Sequence, residues 1–303
     1  MKKSFVLPAA LLLGLLFHKW CALFSPIVPF LIFCILLLTF AAVDLKHLLS
    51  AKNILHPINI FTATFQIVIS VGSYYLLRSC GVDPIIAEGV LVGVICPVAA
   101  SVTVISCMLG ANRQTVTTYT LVGNLMVALV APLIFSMVNP SPDITFFTSF
   151  CLILKRIAPI LGIPILVALL LQCFWPKANG WLAKRKGWAF YFWCCALLFT
   201  LGQTIDFIFI HGEGHWHVII WLGILSLLFC AIQFGVGKWV GHKLGDTISG
   251  GQLLGQKNTA MGIWMANTFL SPLASVFMAF YSIYQNLFNS WQIYHFEKKN
   301  HRD

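Results

Sequence analysis

Apolar runs long enough to cross a bilayer follow one another along nearly the whole chain. A hydrocarbon core of about 30 Å needs roughly 20 apolar residues in helical form. Runs of that kind stand at residues 4–17, 25–43, 57–77, 84–108, 115–137, 146–175, 188–208, 216–238, 247–269 and 272–295. In lipid the backbone has no water to bond, so a spanning segment of this length must be a helix that satisfies itself. Composition agrees with this pattern. Of 303 residues, 59% are hydrophobic and 9% charged, where a soluble domain has about 25% charged. Such a chain cannot cover itself with a solvated surface. The expectation is an all-α polytopic membrane protein of ten transmembrane helices, which excludes a soluble enzyme, a secreted disulfide scaffold, a disordered chain and a collagen-like fibre. Nine spans is the alternative, because the first run is short and mainly Ser271-Pro272 separates the last two.

The net charge of +10 falls mostly in short segments between apolar runs. With the N-terminus inside, the cytoplasmic segments hold Lys2, Lys3, Lys46, Lys52, Arg113, Lys177, Lys184, Arg185, Lys186, Lys238, Lys243, Lys298, Lys299 and Arg302. The outer loops hold only Lys19 and Arg78. That asymmetry is the positive-inside pattern of a cell inner (plasma) membrane protein with both termini in the cytoplasm. Lys2-Lys3 before an apolar run imitates a signal peptide, but no small-x-small cleavage site follows, so the run is read as the first span.

Two halves of five spans, residues 1–137 and 146–303, with residues 175–188 as a basic cytoplasmic connecting loop, suggest an inverted repeat within a single transporter unit. Carriers of that design place interrupted helices at corresponding positions of each half, meeting at the bilayer midplane. Two candidates are present. Gly93-Val-Ile-Cys96-Pro97 interrupts the fourth run, followed by Ser101, Thr103 and Ser106. Gly250-Gly251-Gln252-Leu-Leu-Gly255-Gln256-Lys257-Asn258-Thr259 interrupts the ninth. Proline removes a donor and glycine lowers helical preference. Cys96, Pro97 and Gly255 are therefore expected at the crossover backbone.

Lys257 is the most informative residue. It stands ten or more residues inside the ninth run, near mid-bilayer at about 1.5 Å per residue. A lysine there costs about 2.5–3.5 kcal/mol on insertion scales and normally serves ion or substrate movement. The bland alternative is a lysine that snorkels to the cytoplasmic face. Gln66, alone in the third span, is either interhelical glue or a ligand. Thr115, Thr117, Thr118, Thr120 and Asn124 make the start of the fifth span polar, though a hydroxyl can bond its own helix. Gln285-Asn286 and Asn289-Ser290 make one face of the last span polar at i, i+4 spacing.

Other chemistry finds little support. The cysteines form no CxxC and read as apolar packers. His211-Gly-Glu213-Gly-His215-Trp-His217 carries zinc-ligand types without helical spacing, and reads as a solvated outer loop. No carboxylate occupies either interruption, which leaves no basis for paired-carboxylate or Ser-His-Asp catalysis at membrane depth. No nucleotide signature occurs, so neither ATP nor nucleic acid is an expected partner. No enzyme activity and no cofactor are expected.

These residues resemble the bile acid:sodium symporter family. The family's ninth span reads Glu-x-Gly-Met-Gln-Asn-[Ser/Thr], and here stands Leu253-Leu254-Gly255-Gln256-Lys257-Asn258-Thr259. Its fourth-span pattern Cys-Pro-Gly-Gly-Thr-x-Ser-Asn aligns with Cys96-Pro97-Val-Ala-Ala-Ser101-Val102-Thr103. Its third-span Gln-Phe-x-x-x-Pro-x-x-x-Tyr-Leu-Leu matches Gln66 through Tyr75-Leu76-Leu77, without the proline. The resemblance implies a panel of spans one, two, six and seven beside a core of three to five and eight to ten, and sodium-coupled transport of an organic anion. It also locates departures. At the first sodium site the family's Ser-Asn pair becomes Val102 and Thr103, its next serine Val116 and its glutamate Leu253, while its threonine is kept as Thr120. At the second, Gln66 is kept and the ninth-span glutamine becomes Lys257, with backbone carbonyls at Leu254 and Gln256.

A sodium ion wants several oxygen ligands (compare), so sodium is an open option whose key ligands are missing. The expectation is that Lys257 substitutes for a bound cation near Gln66 and leaves positive charge for an anionic substrate; it could also release and rebind a proton each cycle. The expected ion or substrate site is Gln66, Thr103, Thr120, Gln256, Lys257, Asn258 and Thr259. The leading reading is an alternating-access carrier of a small organic anion, sodium-independent or proton-coupled. Ordinary sodium symport through a rearranged site is the alternative within that class. A membrane receptor or assembly subunit that kept the fold and lost transport is the alternative outside it, made less attractive by the short tails.

Overall fold

The computed structural model describes residues 12–45, 51–99, 102–139, 145–211 and 213–300. Most of the run at 4–17 therefore lies outside the described residues. The elements are α1 (His18–Leu23), α2 (Val28–Ala41), α3 (Ala51–Ile54), α4 (Pro57–Ser79), α5 (Pro84–Ile95), α6 (Val102–Met108), α7 (Arg113–Val138), α8 (Phe146–Phe174), α9 (Pro176–Ala183), α10 (Trp188–His211), α11 (Trp216–Lys243), α12 (Thr247–Gly255), α13 (Thr259–Phe269) and α14 (Ser275–Asn300). Single 3-10 turns precede α2 and α14. The fold is all-α: among the described residues the one β feature is an isolated antiparallel bridge between Val98 and Lys257. Among the described residues five helices are long and apolar enough to cross a membrane, at Pro57–Ser79, Gln114–Val138, Phe146–Phe174, Trp188–Ile210 and Trp216–Lys243. Their exposed leucines, phenylalanines and tryptophans, such as Leu129, Phe147, Leu166 and Trp221, suit contact with lipid rather than water.

Helix starts follow local chemistry. Asp83, Asn112, Thr145, Asp246 and Asn258 each cap the helix that follows by accepting a backbone N–H, worth about 1 kcal/mol apiece. The 175–188 segment, expected as a loop, contains the short helix α9; Pro176 occupies its first turn, and Asn179 donates to Ala41 O at 3.1 Å, tying it to the end of α2.

Both interruptions are shorter than the sequence suggests. α5 continues through Gly93 to Ile95, and α12 continues through Gly250 and Gly251 to Gly255. Those glycines serve close approach instead of breaking the helix. A Cβ on Gly250 would lie 2.4 Å from Gly237 O, and one on Gly93 would lie 2.0 Å from the Phe277 ring. The unwound residues of the ninth run are Gln256 to Asn258, between α12 and α13.

Helices α1, α2, α8 and α10 pack on one another, as do α4, α5, α7, α11, α12, α13 and α14. The groups meet where α7 packs on α8 and where α13 packs on α2 and α10, while α6 packs on α7 and α12.

Candidate functional site

The two interruptions meet. Pro97 has no N–H and disfavours helical geometry at the residue before it; Cys96 accordingly turns extended, at φ −50° and ψ 136°. The chain then lies antiparallel to Gln256–Asn258. Asn258 N–H donates to Pro97 O at 2.8 Å, Ala99 N–H to Gln256 O at 3.3 Å, and the Cys96 thiol to Asn258 O at 3.1 Å. Each break thus satisfies backbone groups freed by the other, as buried unwound chain requires.

No proline opens the second break. Gln285 of α14 holds it open, accepting from Lys257 N–H at 2.8 Å and donating to Lys257 O at 3.1 Å. The amide treats Lys257 as a neighbouring strand would. Tyr281, one turn earlier on α14, donates to Gly255 O at 2.8 Å. Asn258 Oδ1 accepts from Met261 N–H and starts α13.

Lys257 is fully buried, and its Nζ donates to Val94 O at 2.9 Å. Val94 belongs to the last turn of α5, where carbonyls lack partners within the helix and the dipole favours a cation. Val94 O is the partner of this Nζ among the described residues, and a lysine amino group has further N–H donors to give. No carboxylate pairs with it among the described residues. Gln66 lies on the same short stretch of chain, not against the lysine. Its Nε2 donates to Cys96 O at 3.3 Å, while its Oε1 accepts from Tyr119 OH at 2.5 Å. The expected proximity of Lys257 and Gln66 thus takes the form of two side chains holding carbonyls two residues apart, with no hydrogen bond between them.

The remaining expected residues divide. Gln256 is joined through its carbonyl to Ala99, and Gly255 through its carbonyl to Tyr281. Thr120 turns away: its hydroxyl donates to Val116 O, back into its own helix, because the carbonyl four residues earlier is within reach. Thr103 is half-buried, and its Oγ1, like that of fully buried Thr259, has no hydrogen-bond partner among the described residues. Neither threonine bonds Lys257.

Ile58, Val98, Val102, Val116, Tyr119 and Leu253 form an apolar cluster of their own, apart from the main core and at most 1% exposed. Val102, Val116 and Leu253 stand where the resemblance puts oxygen ligands of a first sodium site. Their side chains fill that place with hydrocarbon together.

Sequence reasoning missed Tyr119 and Tyr281, which look like ordinary aromatic filler. Tyr281 had one usable signal, its i, i+4 spacing from Gln285. It also missed two carboxylate clasps. Glu88 of α5, 7% exposed, accepts from Ser271 N–H before α14 at 2.8 Å; Asp246 before α12 accepts from Asn112 N–H before α7 at 3.3 Å. Each fastens one interrupted apolar run to the turn that follows the other. Among the described residues no group of three or more His, Cys, Asp or Glu could hold a metal ion.

No protein-family model matches the chain, and no curated protein matches it significantly in sequence.

Proposed function

We propose that this chain is a secondary carrier of small organic anions, working by alternating access without sodium, with ten spans in two inverted five-span repeats and both termini in the cytoplasm of a plasma membrane. The observation that carries the reading is the Lys257 ammonium, fully buried where two interrupted helices meet and held by a helix C-terminal carbonyl. A buried charge without an anionic partner is expensive and persists where it does work. Here it takes the electrostatic place of a bound metal ion, with two N–H donors left for a carboxylate or sulfonate. The apolar cluster supports the sodium-independent form, since Val102, Val116 and Leu253 offer a cation no side-chain oxygen. Two features support the inverted repeat. Both interrupted helices start at an aspartate cap, and their breaks pair antiparallel. The uneven packing of the two half-helices, α13 against α2 and α10 but α6 mainly against α7 and α12, suits a carrier closed on the α13 side.

The test is uptake of radiolabelled monocarboxylates and organic sulfonates into proteoliposomes, with sodium replaced by choline. Flux is expected to be equal in both salts and lost in Lys257→Met. Strict sodium dependence, or full flux in Lys257→Met, would overturn the reading.

A further inference from the structure

We infer that the seam between α14 and the α11–α12 pair holds a file of internal water along the row from Gln292 to Gln233. Gln285, Asn289 and Gln292 lie along one face of α14 at helical spacing, with Tyr281 one turn before them. From Tyr281 to Gln292 the helix rises roughly 16 Å. Gln233 of α11 and Gln252 of α12 face this row: Gln233 Nε2 donates to Tyr281 OH at 3.1 Å, and Gln252 Nε2 donates to Asn289 Oδ1 at 3.1 Å. Gln233 and Gln252 are fully buried, Asn289 is 3% exposed, and Gln292, at 9%, is the most exposed of the four.

Four of these amides leave a polar atom unpaired. Gln233 Oε1, Gln252 Oε1, Asn289 Nδ2 and Gln292 Nε2 are buried atoms with no hydrogen-bond partner among the described residues. Buried polar atoms in native proteins find partners, and internal water is the usual one where protein groups do not reach. Turning an amide over does not remove the requirement. If both Gln252 and Asn289 are flipped, their mutual bond reforms and again leaves one donor and one acceptor over. A single water can accept from one and donate to the other. The mixture also selects the ligand: a cation would want acceptors alone, whereas two leftover acceptors beside two leftover donors suit water. The file is independent of the transport reading, because it needs only these side chains and their burial.

Synchrotron hydroxyl-radical footprinting in lipid nanodiscs tests it, because radicals formed from bound water label adjacent rings even where bulk solvent is absent. Tyr281 beside the file and Phe135 in the apolar core are both fully buried. After normalisation for intrinsic ring reactivity, Tyr281 is expected to label at least fivefold faster than Phe135. Equal, background labelling of the two rings in the unaltered protein would overturn the inference without any variant having to fold. In the Gln233→Leu, Gln252→Leu, Asn289→Leu triple variant, Tyr281 labelling is expected to fall to the Phe135 level. Labelling that persists undiminished there would show that these amides do not hold the water, and would overturn it too.

Discussion

The two flanks of the crossover are built from opposite chemistry although one short helix walls both. On one side of α12, Leu253 joins Ile58, Val98, Val102, Val116 and Tyr119 in a hydrocarbon plug. On the other, its neighbour Gln252 bonds Asn289, beside Gln285 and Tyr281 on α14. Consecutive residues on a helix point about 100° apart, so Gln252-Leu253 is enough to separate the environments. The comparison teaches that apolar and polar side chains are sorted to opposite flanks. Hydrocarbon fills one, while polar groups concentrate on the flank that holds the main chain of Lys257.

The strongest way to break this contrast is Lys257→Met, which keeps an unbranched stem and removes the ammonium. Anion uptake in proteoliposomes is expected to drop more than about 100-fold, matching a differential interaction of roughly 2.7 kcal/mol or more. Leu253→Glu attacks the plugged flank by burying a carboxylate among valines. Folded-state stability should fall by about 3–5 kcal/mol, read from denaturant unfolding in detergent. Sodium chloride at 150 mM should restore no more of it than choline chloride at the same concentration. Gln285→Leu strips the main chain of Lys257 of its two side-chain bonds, for an expected loss of about 2–3 kcal/mol in the same assay. Tyr119→Phe removes one hydrogen bond to Gln66 at the edge of the plug and should cost about 1 kcal/mol. Thr120→Val is the smallest change: its hydroxyl serves only its own helix, so stability should move by less than about 0.5 kcal/mol, with uptake unaffected.

How much of this was legible in the sequence depended on whether a residue carries one physical meaning or two. A proline after a cysteine in an apolar run and a lysine deep in another each have few explanations, and both led to the crossover. Glycine has two. Gly250 and Gly251 read as helix breakers and act as spacers, because only the partner backbone at Gly237 and the Lys238 stem reveal which role applies. Tyr119 and Tyr281 were hidden for a similar reason, since a phenol at an apolar position looks like packing until its partner across the interface is known. The division of carbonyls between Gln66 and Lys257 depends on where the unwound chain passes, which periodicity does not encode.

The contact of α11 with α12 has a mechanical consequence. A Cβ on Gly237 would lie 2.4 Å from Gly250 O, and one on Gly241 would lie 2.5 Å from Asp246 O, so at these two points backbone touches backbone with no side chain as a cushion. A bulky residue at Gly237 is therefore expected to push α12 away from α11, and with it the unwound segment that carries Lys257, before it disturbs any bond that Nζ makes.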